Sequence, residues 1–198
     1  MDKDLGRLLY DYLLETGMSE GVAAYVNLLV LLVVVLILVT FLDILIWKIL
    51  RGLSVRLARK SKNNFDNFLV AHRVPRYVAH MVPLTILFEF VPVAFADFDY
   101  AEGIALKAIK ILYVFLTLII FRKFFQSVNG YLKTLPKFRD KPIDSYVQVF
   151  MIFAWIVGIL TIFAIVTETT VWKFFTALGA ASAVILLIFK DSILGLVA

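Results

Sequence analysis

Few residues in this chain can do chemistry, and most of those that can sit in or beside greasy runs. Glu89 stands between Pro83 and Pro92 in a stretch otherwise free of charge. A carboxylate at that depth is a candidate proton or cation site; its plainer roles are a bond to a neighbouring helix or a place near the outer interface. Asp43, about one turn before Lys48, is expected to pair with it near the inner boundary. His72 and His80 have no further ligand at metal spacing. There is no His-Glu-x-x-His run, no phosphate-binding glycine loop and no pair of carboxylates at working distance. These residues argue against an enzyme and call for no metal or other cofactor.

The elements that would position these groups follow from composition. Of the 198 residues 62% are hydrophobic, and the mean hydropathy is +0.93. Soluble domains run at about 45–50% apolar, so the chain is expected to be an integral membrane protein. It has no cysteine, hence no disulfide or thiolate metal site, which fits a bacterial inner membrane. The N-terminus lacks a basic n-region with a small-residue cleavage site, so no cleaved signal peptide is expected.

A helix needs about 20 mostly apolar residues to cross the hydrocarbon. Five stretches qualify: Gly21–Leu42 continuing to Trp47, Tyr77–Ala96, Gly103–Phe121, Ser145–Thr167, and a run opening at Phe174–Phe189 and continuing past Lys190. The second is expected to kink at its prolines. Lys107 and Lys110 lie at one end of the third, where long stems can snorkel. The fold class expected is an all-α membrane protein of five spans.

Fifteen of the 20 Lys and Arg fall on one side of these spans: eight between Lys48 and Arg76, six between Arg122 and Lys141, and Lys190. The other side carries most of the acidic residues. By the excess of positive charge in short cytoplasmic loops, the N-terminus is expected outside (periplasmic) and the C-terminus inside. The net charge of +5 is thereby explained without nucleic acid. Residues 1–20 read as an outer amphipathic segment, with Leu5, Leu8, Leu9, Tyr12 and Leu13 at helical spacing. Residues 21–173 read as four peripheral spans with basic loops, and 174–198 as a separate last helix. Leu50, Leu53 and Leu57 extend the first span amphipathically, and Phe121, Phe124, Phe125, Val128 and Leu132 extend the third.

The last span is unlike the others. "ALGAASAVILLIFKDSILGLVA" (Ala177–Ala198) opens with small residues. Ala177 with Ala181 and Gly179 with Ala183 are small-xxx-small pairs, the kind that lets helix backbones approach closely. Thr176, Ala180, Ala183, Leu187, Asp191 and Leu194 share one face on a 3.6-residue period, flanked by Gly179 and Ser182. Such a helix suits a ring of copies around a narrow apolar pore that closes by dewetting. It equally suits packing against the other spans of its own chain, and the residues alone leave both open. Lys190 and Asp191 fall near the inner boundary of the hydrocarbon; Asp191 or Ser192 is expected to cap a following segment containing Gly195, so that the triplet forms a joint.

Leu178–Ala198, "LGAASAVILLIFKDSILGLVA", resembles the pore helix of the small-conductance mechanosensitive channel (MscS) family. The Lys-Asp followed by Ile-Leu-Gly-Leu-Val-Ala is most similar to its five-span, YbdG-like miniconductance type. The resemblance covers about a tenth of the chain. It implies a homo-heptamer whose last spans line a pore, with the second part of that helix feeding a cytoplasmic domain absent from this sequence. The family's two sealing rings match Ala183 and Leu187. Alanine replaces the usual leucine at Ala183, so Leu187 carries most of the seal, with Leu186 or a bulky residue further along as candidates beside it. The family's kink glycine matches Asp191, a second departure.

Three functional readings follow. The first is a channel opened by membrane tension, protecting against hypoosmotic shock, with lipids, permeating small ions and copies of itself as partners. The second is an ion-coupled transporter using Glu89, which predicts inverted repeats and broken helices at mid-membrane, neither of which is evident. The third is a membrane anchor for a soluble domain, which gives no reason for the small-residue stripe.

Overall fold

A computed structural model describes residues 3–60, 65–138 and 141–197, with side chains except at 3–5, 57–60, 191–194 and 196–197. All regular elements among them are helical: α1 (Lys3–Glu15), α2 (Glu20–Lys60), α3 (Phe65–Ala71), α4 (Val74–Ala79), α5 (Met81–Ala94), α6 (Asp99–Thr134), a 3₁₀ turn (Pro136–Phe138), α7 (Ile143–Val166) and α8 (Val171–Val197). Five segments are long and apolar enough to cross a membrane: Glu20–Arg56, Val74–Ala94, Asp99–Thr134, Ile143–Val166 and Val171–Lys190. They coincide with the five expected stretches.

The first turn is set by glycine. Gly17 takes φ 88°, the left-handed region where a side chain is unwelcome. Its N–H reaches Leu14 O at 2.9 Å and the Met18 N–H reaches Leu13 O at 3.3 Å, closing α1 with a paired C-terminal cap. The amphipathic N-terminal segment is thus a helix, and it is docked. Asn27 on α2 donates to Gly6 O at 2.9 Å, and Arg7 pairs with Asp97 at 2.7 Å beyond the end of α5.

The expected break in the second span falls at His80, between α4 and α5. Pro83 has no N–H, so the Ala79 carbonyl lacks its helical donor and the ladder is interrupted there. Pro92 lies inside α5 without ending it. The first and third spans each run on as one helix through their amphipathic extensions, to Lys60 and Thr134.

The spans touch in chain order: α2 against α4 and α5, α5 against α6, α6 against α7, and α7 against α8. They form an open row instead of a closed bundle. The exposed area shows it: 13851 Å², against about 9,500 Å² expected of a compact soluble chain of this mass. On the basic side, α3 is tucked between α2 and α6. Ser127 Oγ donates to Phe68 O at 3.2 Å, and Phe65 and Phe68 pack edge-on against Tyr131.

Asp43 pairs with His80 Nδ1, not with Lys48. On a helix, residues five apart point some 140° away from each other, so Lys48 is off the Asp43 face, whereas the interruption at His80 turns its ring towards α2.

Candidate functional site on the last helix

The turn before α8 is held by side chains as well as backbone. α7 ends at Val166, and the Thr169 N–H returns to Ala164 O at 3.0 Å, the bond that normally accompanies a glycine two residues past the helix end. Here that residue is Glu168, at φ 55°. Its carboxylate meets Lys107 Nζ of α6 at 2.5 Å. Phe174, in the first turns of α8, packs edge-on against Phe163 of α7 with ring centroids 5.4 Å apart. Past this first turn the described side chains of α8 stand clear of the chain.

From Phe175 to Lys190 every side chain is exposed. Leu187 is 73% exposed and Leu186 64%, although both are bulky and apolar. None of the last span is buried, compared with 28% of the second. Twenty residues at 1.5 Å each carry Val171–Lys190 across about 30 Å, the thickness of the hydrocarbon.

The proposed pore-facing residues Thr176, Ala180, Ala183 and Leu187 therefore line one uncovered stripe. Thr176 spends its hydroxyl on Trp172 O at 2.9 Å, leaving its methyl on that stripe. Ala177, Gly179, Ala181 and Ser182 are equally uncovered, and a Cβ built on Gly179 would meet nothing within 4 Å. The small-residue stripe is thus not packed against the chain's own spans.

The joint expected at Lys190-Asp191-Ser192 does not interrupt the helix: α8 is continuous to Val197, so neither Asp191 nor Ser192 caps a second one. Asp and Ser inside a helix cost only tenths of a kcal/mol, roughly 0.7 at most, and even Gly195 about 1; the surrounding Ile, Leu and Lys carry the helix through. The side chains of Asp191 and Ser192 lie outside the described residues. Gly195 is exposed.

Glu89 is exposed on α5, and no bond or ion pair involves it among the described residues. His72 is turned to Phe68 O at 2.9 Å. The Lys107–Glu168 tie went unseen in the sequence. Its only local signal is the polar Thr167-Glu168-Thr169-Thr170 cluster after the fourth span.

The fold defines an all-α, multi-pass membrane protein of five spans whose last helix is bare. Comparison of the chain with protein-family models, curated proteins and solved structures finds no match in any of the three.

Proposed function

We propose that the chain is the membrane part of a tension-gated ion channel in which α8 of several identical subunits surrounds a common aqueous path. The observation that supports this reading is the uncovered small-residue helix. Within a span long enough to cross the bilayer, the stretch 175–190, patterned for close backbone contact, is exposed throughout in its own chain, and copies of the same helix supply the complementary surface. The resemblance of Leu178–Ala198 to the MscS family sets the number at seven and the seal at Leu187. Thr176, Ala180, Ala183 and Asp191 complete the inner face, with Ala177, Gly179, Ala181 and Ser182 between neighbouring helices. In this reading α2–α7 form the outer, lipid-facing part. Tension favours whichever conformer occupies more area in the plane, because a stimulus shifts an equilibrium only by acting differently on its two states. The wider state wets the ring at Leu187 and passes small ions, relieving hypoosmotic stress. The basic loops put the host membrane's cytoplasmic face, here a bacterial inner membrane, at the Lys190 end.

Two measurements test this. The mass of the detergent-solubilised protein should be seven times the 22.5 kDa of one chain; a monomer has no shared axis and sinks the proposal. In patch recordings of the complete protein, Leu187→Ser should lower the tension at which current appears. An unchanged threshold removes Leu187 as the seal.

A further inference from the structure

At the basic end of α2, three arginines from two separate segments turn towards one recess. Trp47, Arg51 and Ser54 lie on one face of α2 at i, i+4 and i+7, and Arg73, in the turn before α4, and Arg76, on α4, complete the recess. The recess has a volume of about 340 Å³. The guanidinium carbons of Arg51 and Arg76 stand 5.3 and 5.9 Å from the Trp47 ring centroid, so two like charges share one indole. Among the described residues none of the three arginines has an ion-pair partner, and Asp43, the nearest acidic group up α2, is occupied by His80. Arg73 is held at φ 59°, ψ 26°, a conformation that residues other than glycine take uncommonly. A left-handed residue at an uncompensated cationic cluster points to a role for its side chain beyond the turn.

The recess is also at the right depth. Trp47 closes the apolar run of α2 and opens its basic extension, as interfacial tryptophans do. On the same flank of α2, one turn and more towards the apolar end, Leu36, Thr40 and Ile44 line a shallow apolar groove. Leu36 to Trp47 spans about 16 Å, one leaflet of the bilayer.

We propose that this recess binds the phosphate of an anionic glycerophospholipid, with an acyl chain lying along the α2 groove. Guanidinium groups grip phosphate oxygens in pairs, and basic hollows between spans at this level suit anionic headgroups. The site is independent of the channel reading, since it needs only one chain in a bilayer.

The test is native mass spectrometry of the full chain in neutral detergent, offered dioctanoyl phosphatidylglycerol, dioctanoyl phosphatidylcholine or inorganic phosphate. Phosphatidylglycerol should be held roughly tenfold more tightly than phosphatidylcholine, as expected for one charge-assisted contact or more. The double substitution Arg51→Gln with Arg76→Gln should abolish that preference; Arg122→Gln, exposed on α6 outside the recess, should keep it. Should the double variant fail to fold, Arg73→Gly deletes a charge while relieving the left-handed backbone, and it too should weaken phosphatidylglycerol. Equal retention of the two lipids, or a preference surviving these substitutions, overturns the proposal. Inorganic phosphate held as tightly as phosphatidylglycerol overturns the lipid as its source.

Discussion

Lys107 on α6 and Glu168 in the α7–α8 turn meet at 2.5 Å, and through them the base of the last span is tied to the third. The hydrogen bond from Lys107, then its charge, holds the Glu168 carboxyl below the ordinary carboxylate range. A carboxyl whose pKa is depressed by folding stabilises the fold above its unfolded value, about 4.3 for Glu, and that contribution is lost as pH falls through the folded value. Glu168→Gln should therefore flatten the acid limb of a melting-temperature profile below about pH 4.3 and leave the profile between pH 6 and 8 with the same slope. An acid limb identical to that of the parent protein would mean the tie contributes nothing.

Gly158 lets α7 press close against α6: a Cβ there would fall 2.7 Å from a Leu118 methyl. Both residues are buried. Gly158→Val should destabilise the protein by about 1–3 kcal/mol, the usual range for overpacking, read as a fall in denaturation midpoint. Adding Leu118→Ala should recover part of the loss, because the second substitution removes the atoms in collision.

Asp43 and His80 should couple where Asp43 and Lys48 do not. In a double-mutant cycle built from Asp43→Asn and His80→Ala, the interaction energy should be about 1 kcal/mol, between the average of about 0.6 and the maximum of about 1.7 found for polar contacts between spans. The cycle with Lys48→Ala should give about zero, since exposed or misaligned pairs contribute little.

Gly179→Leu separates the two uses of the last helix. Nothing of the chain itself lies within 4 Å of a Cβ at this position, and leucine is the better helix former by about 1 kcal/mol. A single subunit should tolerate the change fully. If copies of α8 pack against each other there, the assembly should fall apart, giving a smaller mass by light scattering with unchanged helical circular dichroism. A mass equal to the parent's would place Gly179 outside any contact between subunits.

The spans were legible because each is a long apolar run, and hydropathy reports that directly. Their ends were less so. α6 runs from Asp99 to Thr134; its far end follows the amphipathic extension from Phe121 to Leu132, but its start lies a turn before Gly103, because Asp and Glu end a hydrophobic window without ending a helix. The two left-handed residues Arg73 and Glu168 carry no signal, since that conformation is ordinarily announced by glycine, as it is at Gly17. Along the sequence Asp43 is nearest Lys48, whereas its partner His80 lies 37 residues away, turned towards α2 by the break that Pro83 leaves when it gives the Ala79 carbonyl no donor. The small-residue stripe was legible as a packing surface, but whether its own chain covers it depends on the arrangement of all five spans, which no local pattern encodes.

Helices that meet only their chain neighbours behave as springs joined in series, where compliances add and the softest link takes most of the displacement. In this row that link is the one between α7 and α8, fastened by a ring contact at Phe163 and Phe174 and by the ion pair at Glu168. Were the row pulled sideways at α2, the largest displacement would be expected at this last link.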